Sequence, residues 1–198
     1  MCQGESYAEA MPQDDVSEAM IATPRLELHH IYVDDLLSLF DSPEDVSIYE
    51  GKSFTNPHRI LMDQSGPLRW RIPQVKSDPA VNKWFVRWIV EKETREIVGS
   101  TSFHGPPDVQ GMMEIGLGIH VNFQRRGYAT ETLTGMWWWV IDQPGVELLR
   151  YTVAPDNEAS VAVIKKFGFE RVGQQIDPED GPEDIYEMSA NEFRRRFN

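Results

Sequence analysis

The alternation of hydrophobic and polar residues first becomes regular at 25–29, where two leucines alternate with charged and polar side chains. This period of two predicts a half-buried strand. A short helix is expected to follow, because Asp34 and Asp35 can cap a leucine-rich run. Pro43 would end that helix, since proline lacks the N–H that a helix interior needs.

Two segments lack such a pattern. Residues 1–22 hold five acidic side chains and neither lysine nor arginine, so we expect a mobile acidic N-terminal segment followed by one folded domain over 23–198. From about 44 to 80 the hydrophobic spacing is irregular and four prolines interrupt it. Helical fragments and loops are expected there, and long irregular segments of this kind often serve as functional lids.

Three strands joined by short connections are predicted in the middle of the chain. Residues 84–90 are rich in aromatic and β-branched side chains, and 97–104 form a similar run after a tight turn. In 113–119, hydrophobic residues alternate with Glu114 and two glycines, so one face of this strand carries a single carboxylate. The three segments indicate an antiparallel meander.

Helices and strands alternate in the last third of the chain, which predicts a strand–helix–strand crossover. Apolar residues spaced three and four apart indicate a helix over 130–142. Asp156 or Asn157 can cap a second helix that runs to Phe167. The strands expected around these helices are 148–153, 169–173 and 185–188. The order favours a mixed α/β or α+β fold in a single domain.

Composition narrows the classes of function. The 198 residues are 40% hydrophobic, which suffices for one sizeable core. The 32 acidic and 19 basic residues give a net charge of −13. This charge argues against nucleic-acid binding and against docking on anionic membranes, because both need an excess of Lys and Arg. It slightly favours a cationic acceptor such as an amine.

Several kinds of site and location are also constrained. The single cysteine, Cys2, excludes an intramolecular disulfide and a cysteine-based metal site. The five histidines lack metal-ligand spacing, so we expect no metal. No signal peptide is visible, and the longest apolar run, 136–141, is too short to span a bilayer, so a cytoplasmic location is expected. A Rossmann dehydrogenase is excluded, because Gly116-x-Gly118 lies within a strand and lacks the third glycine.

The most informative segment lies between a predicted strand and the 130–142 helix. Residues 124–129 read Gln-Arg-Arg-Gly-Tyr-Ala, and a small-residue turn there would point backbone N–H groups outward at a helix N-terminus. Such a site binds phosphate through unpaired donors and the positive end of the helix dipole. The alternative is an ordinary helix start with solvated arginines.

Five short motifs occur in a consistent order over about residues 23–189. They are T-x-R-L-x-L at 23–28, E-I-G-x-x-I-H at 114–120, Q-x-x-G-x-A at 124–129, G-Y-A-T-E at 127–131, and N-x-x-S followed by G-F at Asn157, Ser160, Gly168 and Phe169. Together they resemble the GNAT superfamily of acetyl-CoA-dependent N-acetyltransferases, and within it the RimJ/RimL-like branch, named for ribosomal-protein alanine acetyltransferases.

The resemblance implies a GNAT-like single domain, in which helices flank a central sheet that splays between its fourth and fifth strands. Acetyl-CoA would lie in this opening as a co-substrate. Its pantetheine arm would pair with the backbone at Leu117, Gly118 and Ile119, and Asn157 would hold the arm from the other side. The residues implied to bind the cofactor at the turn are Gln124, Arg125, Arg126, Gly127, Tyr128, Ala129 and Thr130.

Glu114 is the first candidate for the general base, and Ser160 is the candidate proton donor to the leaving thiolate. His104 and His120 are second-rank candidates for substrate contact or the base. Many family members carry a tyrosine where this chain has Ile164 and a carboxylate where it has Thr152. Glu114 lies five residues from Ile119, whose N–H would polarise the thioester carbonyl. A bulge at the splay would be needed to bring the two to one face.

The sequence therefore predicts direct acetyl transfer to a primary amine of a small molecule or a protein N-terminus, without a covalent acetyl-enzyme. Residues 44–80 and 105–111 are expected to select the acceptor. The alternative is a non-catalytic acetyl-CoA or CoA sensor on the same fold. A protein-interaction module is the third interpretation, and adjacent Trp138 and Trp139, which cannot both face the core of one helix, suggest a homodimer contact.

Overall fold

An eight-stranded sheet forms the centre of the fold within residues 18–62, 66–179 and 181–198, which the computed structural model describes. Its strands are β1 (Ile21–Ala22), β2 (Leu26–His30), β3 (Arg87–Glu91), β4 (Ile97–Phe103), β5 (Met112–Ile119), β6 (Leu148–Val153), β7 (Glu170–Asp177) and β8 (Gly181–Ser189). The helices are α1 (Val33–Asp41), α2 (Leu68–Ser77), α3 (Tyr128–Ile141), α4 (Glu158–Phe167) and α5 (Ala190–Phe197). The strand order is β1-β2-β3-β4-β5-β6-β8-β7, so the mixed sheet flanked by helices is confirmed.

The sheet opens between β5 and β6. These two strands are parallel, and they pair only over the first three residues of each, up to Glu114 opposite Arg150. Beyond that pair, β5 continues to Ile119 along β4, its antiparallel neighbour on the other side. The predicted splay is thus present, but it falls between the fifth and sixth strands, because β1 adds a strand at the sheet edge.

Two elements, β1 and α5, differ from the sequence prediction, and α2 gives the irregular stretch its form. The edge strand β1 lies inside the N-terminal segment 1–22 that was predicted to be mobile. Two residues are too few to show a hydrophobic periodicity in the sequence. The rest of that prediction, for residues 1–17, lies outside the described residues. Helix α2 is one of the helical fragments expected in the irregular stretch, and it forms despite Pro73 in its interior. Helix α5 follows β8, with Ser189 capping it by accepting a hydrogen bond from the backbone N–H of Glu192.

The tryptophans of α3 pack within the chain. Trp137 is fully buried and stacks on Phe169 at 5.7 Å between ring centres. Trp138 meets Phe193 of α5 edge to face, and Trp139 stacks on Phe103 of β4. Phe193 of α5 and Phe103 of β4 therefore each cover part of the two rings that suggested a dimer contact. Both tryptophans are half-buried, and the homodimer stays a prediction. In the described part of the chain, no helix is long and apolar enough to cross a membrane.

Candidate active site

A cleft of about 1090 Å³ lies at the splay of the sheet. Glu114 and the following part of β5, including Leu117, Gly118 and Ile119, line it together with Thr152 of β6. The other walls come from α2, the end of β4, the β7–β8 hairpin and the segment around residues 58–61. The structure thus brings the predicted base and the predicted pantetheine strand to one cavity. One wall is α2, which belongs to the segment 44–80 that was expected to select the acceptor.

Glu114 is held at the point where β5 and β6 separate. Its side chain is 15% exposed, and its Oε1 accepts a 2.6 Å hydrogen bond from the Thr152 hydroxyl. His104 Nδ1 lies 3.4 Å from the same oxygen. The second oxygen, Oε2, accepts no hydrogen bond from the part of the chain that the structure describes. One lobe of the carboxylate is therefore fixed and the other is available to a ligand or water.

His104 and Arg71 set the electrostatics around this carboxylate. Desolvation in the cleft lowers the pKa of His104; the Arg71 cation lowers it further, and the Glu114 and Asp177 carboxylates oppose these effects without reversing them. The imidazole is therefore neutral at neutral pH and can accept a proton. The side chain is 44% exposed and lines the cleft, and its role as the second candidate base stays a prediction.

The backbone of β5 offers an open edge to the cleft. In the ladder with β4, the Glu114 carbonyl accepts from His104 N–H, and His120 N–H donates to the Val98 carbonyl. Because hydrogen-bonded and non-hydrogen-bonded pairs alternate in an antiparallel ladder, these bonds turn the backbone groups of Leu117 and Ile119 away from β4. They face the side from which β6 has departed. The free donors and acceptors there suit an extended ligand that pairs like a strand.

This geometry also removes the need for the bulge expected at the splay. The register of β5 with β4 runs without a shift from Ile115 to Ile119. The expected bulge is therefore absent. That expectation compared the faces of the sheet on which the side chains of Glu114 and Ile119 lie, whereas the group that matters at Ile119 is its backbone N–H. The N–H of Ile119 lies in the plane of the sheet, so the Glu114 side chain can reach over the same opening that this N–H faces.

The turn before α3 presents a row of backbone donors. Within the described residues, the N–H groups of Arg125 to Thr130 donate to no protein acceptor. Arg125 and Gly127 both have positive φ, 61° and 81°, and this conformation turns the chain into the helix. Helix α3 therefore begins at Tyr128, two residues before the predicted start. Consecutive free N–H groups at a helix N-terminus form an anion site.

Side chains in this turn have structural partners of their own. Gln124 donates to the Ile119 carbonyl at 2.9 Å, which closes one end of the open edge. The buried Tyr128 donates its hydroxyl hydrogen to Glu91, so only its backbone N–H faces outward. Arg126 lies over the Phe123 ring at 4.9 Å and donates to the Asn122 carbonyl. Arg125 is exposed and is the side chain of the turn best placed to meet a ligand phosphate.

Arg25 links this turn to the first turn of α3 through hydrogen bonds. It donates to the Arg126 carbonyl at 2.9 Å and, through Nε, to Glu131 at 2.7 Å. The Thr23 hydroxyl donates to the same carboxylate. Desolvation opposes ionisation of Glu131, but these hydrogen bonds outweigh it and hold its pKa below the usual range. The sequence motifs at 23–28 and 127–131 thus meet in space, a link that neither motif alone could reveal.

Asn157 and Ser160 stand at the N-terminus of α4, outside the residues that line the cleft. Asn157 caps the helix, because its Oδ1 accepts from Ser160 N–H at 3.1 Å. The Ser160 side chain hydrogen-bonds to Tyr151 of β6, and burial raises the pKa of this phenol more than the bond lowers it. The amide nitrogen of Asn157 donates to no acceptor among the residues that the structure describes. Tyr151 is a neighbour of Ser160 that sequence spacing could not identify.

The described ranges contain no group of three or more His, Cys, Asp and Glu side chains arranged to hold a metal ion. His120 instead stacks on His58 at 4.7 Å on the wall of the cleft. Its Nδ1 accepts from the Asn122 N–H, which makes it the cap of a short 3-10 helix. Of the two second-rank histidines, only His104 contacts Glu114.

Sequence comparison finds relatives in Bacillus subtilis. The uncharacterized N-acetyltransferase YjdG is 36% identical over 88 residues, which cover 44% of this chain and 52% of YjdG. The match thus spans about half the length of that relative. The uncharacterized N-acetyltransferase YoaA is 26% identical over 159 residues, which cover 78% of this chain and 84% of YoaA.

Solved structures share the fold. A putative ribosomal-protein-serine acetyltransferase from Vibrio cholerae superposes with a TM-score of 0.59 at 19% identity, over 87% of this chain and 98% of its own. RimL, a ribosomal L7/L12 alpha-N-protein acetyltransferase in complex with coenzyme A, gives 0.59 at 15% identity, over 86% and 98%. The sequence model of the acetyltransferase (GNAT) domain matches residues 25–170. Because this match covers well over half of the chain, and the motifs and splayed sheet agree with it, the chain belongs to the acetyltransferase (GNAT) family.

Proposed function

We propose that this protein transfers an acetyl group from acetyl-CoA directly to a primary amine of a small molecule or a protein N-terminus. The observation that carries the proposal is the meeting of Glu114 with the open edge of Leu117 and Ile119 in one cleft. Acyl transfer to an amine needs a base beside a site that polarises the acyl carbonyl. Similar proteins bear names that specify a ribosomal protein and spermidine as acceptors.

The residues present fit acetyl-CoA. The free N–H groups of Arg125 to Thr130 would hold the pyrophosphate. Gly127 suits this role, because its φ of 81° disfavours a side chain and leaves the backbone open to a phosphate. The backbone of Leu117 and Ile119 would pair with the pantetheine arm, and the amide nitrogen of Asn157 would reach it from α4.

Each step of the transfer has a residue to serve it. Glu114 would take the proton from the attacking amine on its free Oε2, directly or through a water, and neutral His104 would share that proton. The Ile119 N–H would donate to the thioester carbonyl oxygen as negative charge develops there. Ser160, supported by Tyr151, would supply the proton to the departing thiolate. The transfer would be direct, because the titratable groups at the strand junction, Glu114 and His104, can act as bases toward the amine and neither is a thiol nucleophile.

A CoA sensor on the same fold is the second candidate, since it would use the same turn and open edge. The arrangement of Glu114 favours an enzyme. A sensor needs no carboxylate in the cleft, and a largely buried one costs stability unless it is hydrogen-bonded. Here Thr152 and His104 fix one oxygen and leave the other facing the cleft, as a base requires.

Two measurements on the purified protein test the proposal. Acetyl-CoA at 100 times its dissociation constant should stabilise the fold by about 2.7 kcal/mol in thermal melts. Thiol release from acetyl-CoA should appear with at least one member of a panel of primary amines and not without amine. Stabilisation without thiol release for any amine would identify a sensor. A melt that acetyl-CoA and CoA leave unchanged would contradict both functions.

A further inference from the structure

Arg71 is a buried cation in the wall of the cleft that the proposed mechanism does not use. It lies on α2, is 6% exposed, and lines the cleft together with Glu114 and His104. Its Nε donates to the Ser102 hydroxyl at 3.3 Å, and its guanidinium lies 5.5 Å from the centre of the Phe85 ring. These contacts fix the plane of the guanidinium and leave its far end toward the cavity.

The terminal nitrogens Nη1 and Nη2 of Arg71 donate to no acceptor in the ranges that the structure describes. Burial lowers the pKa of Arg71 to about 10, while the Glu114 carboxylate opposes this effect, so the group is charged at neutral pH. The two other arginines that line the cleft differ in this respect: Arg59 pairs with Glu44, and Arg69 pairs with Glu179. Arg71 therefore offers an unused planar fork, the donor arrangement that matches a carboxylate.

Glu114 does not neutralise this fork by direct contact. Among the described residues, no ion pair within 4.0 Å joins the two side chains, and the paired oxygen of Glu114 faces Thr152 and His104 instead. The two charges are nevertheless close enough for Glu114 to influence Arg71. A cation and an anion thus face one cavity with a gap between them, which is complementary to a ligand with both charges.

We propose that the acceptor is a small aminocarboxylic acid, whose carboxylate binds the fork of Arg71 while its amine faces Glu114. This inference rests on the proposed acetyl transfer and narrows its acceptor. A polyamine has no carboxylate, and a protein N-terminus has a neutral amide next to its reacting amine. Either would leave Arg71 as an uncompensated buried charge, which is costly. Asp177 and Glu183 also line the cleft and would favour the approach of the protonated amine.

Matched acceptors test the inference on the unmodified protein. Each set consists of an amino acid, its carboxamide and its decarboxylated amine, such as phenylalanine, phenylalaninamide and 2-phenylethylamine, with similar sets built on aliphatic and acidic amino acids. For the preferred set, kcat/KM should be about tenfold or more higher for the acid than for the amide or the amine, as expected for a charged hydrogen bond. Rates are compared at equal concentrations of free amine, because the amine pKa differs within a set.

Variants assign the preference to the side chain. Arg71→Gln should reduce the acid-to-amide ratio to about one while acetyl-CoA still binds, and Arg71→Lys should retain part of it. Arg69→Gln, on the same wall, is the matched control and should keep the full ratio. Because the ratio does not depend on the fraction of folded enzyme, partial unfolding of a variant does not affect it. If Arg71→Gln fails to fold, the acid-to-amide ratios of Arg71→Lys and of the parent enzyme test the inference instead.

The outcomes separate the two proposals. A parent enzyme that prefers amides or simple amines in every set overturns the aminocarboxylate inference and leaves acetyl transfer intact. An acid preference that persists in Arg71→Gln overturns the assignment to Arg71. If no member of any set releases thiol from acetyl-CoA, the proposed function fails, and this inference fails with it.

Discussion

Thr152 Oγ1 donates a 2.6 Å hydrogen bond to Glu114 Oε1 across the opening between β5 and β6. The two strands form their last pair at Glu114 and Arg150, so Thr152 stands two residues further along β6, on the same face. Many members of the family that the sequence motifs resemble carry a carboxylate at the position of Thr152. In this chain a carboxylate stands at the opening with a hydroxyl that orients it, and this arrangement is the reason for proposing Glu114 as the base.

Replacing Glu114 by Gln should lower kcat by about 10²–10⁴-fold at neutral pH, because the acceptor amine is then mostly protonated and loses its base. Acetyl-CoA should bind as it does to the parent, since the turn and the open edge are unchanged. The deficit in kcat should shrink at high pH, where free amine is abundant. Steady-state kinetics from neutral to alkaline pH, with acetyl-CoA affinity measured by calorimetry, checks this.

A matched control is Glu183→Gln, which removes another carboxylate that lines the cleft but lies on β8, away from the strand junction. It should retain a kcat near that of the parent, because the charge of Glu183 acts on the approach of the amine, and so on KM rather than on the chemical step. Parental kcat in Glu114→Gln at neutral pH would contradict the proposed role and transfer it to His104, whose Nδ1 lies 3.4 Å from Glu114.

The sequence predicted the parts of this site that lie within one segment. Glu114 stood out because glycines follow it on the same face of a strand. The anion-binding turn stood out because a glycine lies between arginines and a helix start. Both signals depend on neighbours a few residues apart, and the structure keeps them together in β5 and at the start of α3.

Other parts of the site depend on long-range contacts that no local pattern reveals. Arg71 lies on a helix with a proline inside it and a weak apolar stripe, so the sequence predicted helical fragments and loops there without locating this helix or its buried face. Arg25 reaches Glu131 across 106 positions of the chain. Thr152 appeared in the sequence only as a departure from the family pattern, and its bond to Glu114 became visible once the strands were paired.

Thr152→Val should lower kcat by about tenfold, because valine has the shape of threonine but cannot donate the hydrogen bond that orients Glu114. The loss should be smaller than in Glu114→Gln, since the base itself remains. Thr152→Ser keeps a hydroxyl and should restore most of the activity. Equal kcat values for the valine variant and the parent would show that the bond does not position the base.

Gly127→Glu should abolish binding of acetyl-CoA, because a carboxylate would stand where the phosphates approach the backbone, in a conformation with φ of 81° that disfavours side chains. Gly145→Glu is the matched control. Gly145 has the same φ and has nothing within 4 Å of an added Cβ, but it lies beyond the C-terminal end of α3, away from the turn. Both variants should lose similar stability in thermal melts, whereas only the first should lose stabilisation by acetyl-CoA. Unimpaired binding in Gly127→Glu would place the phosphate site elsewhere.

His30 should make the fold sensitive to mild acid. Its side chain is nearly fully buried against Asn82, and burial, followed by the charge of Arg87, lowers its pKa to about 3 from 6.5. The unfolded chain therefore binds more protons than the folded one between pH 3 and pH 6.5. The contribution of His30 to the free energy of unfolding is thus largest above pH 6.5 and falls as the pH decreases toward 3.

This one group changes the free energy of unfolding by at most about 1.4 kcal/mol per pH unit. Chemical unfolding between pH 5 and 7 should show a shallower slope for His30→Gln than for the parent. Identical slopes in the two proteins would show that His30 accepts a proton in the folded state as readily as in the unfolded chain.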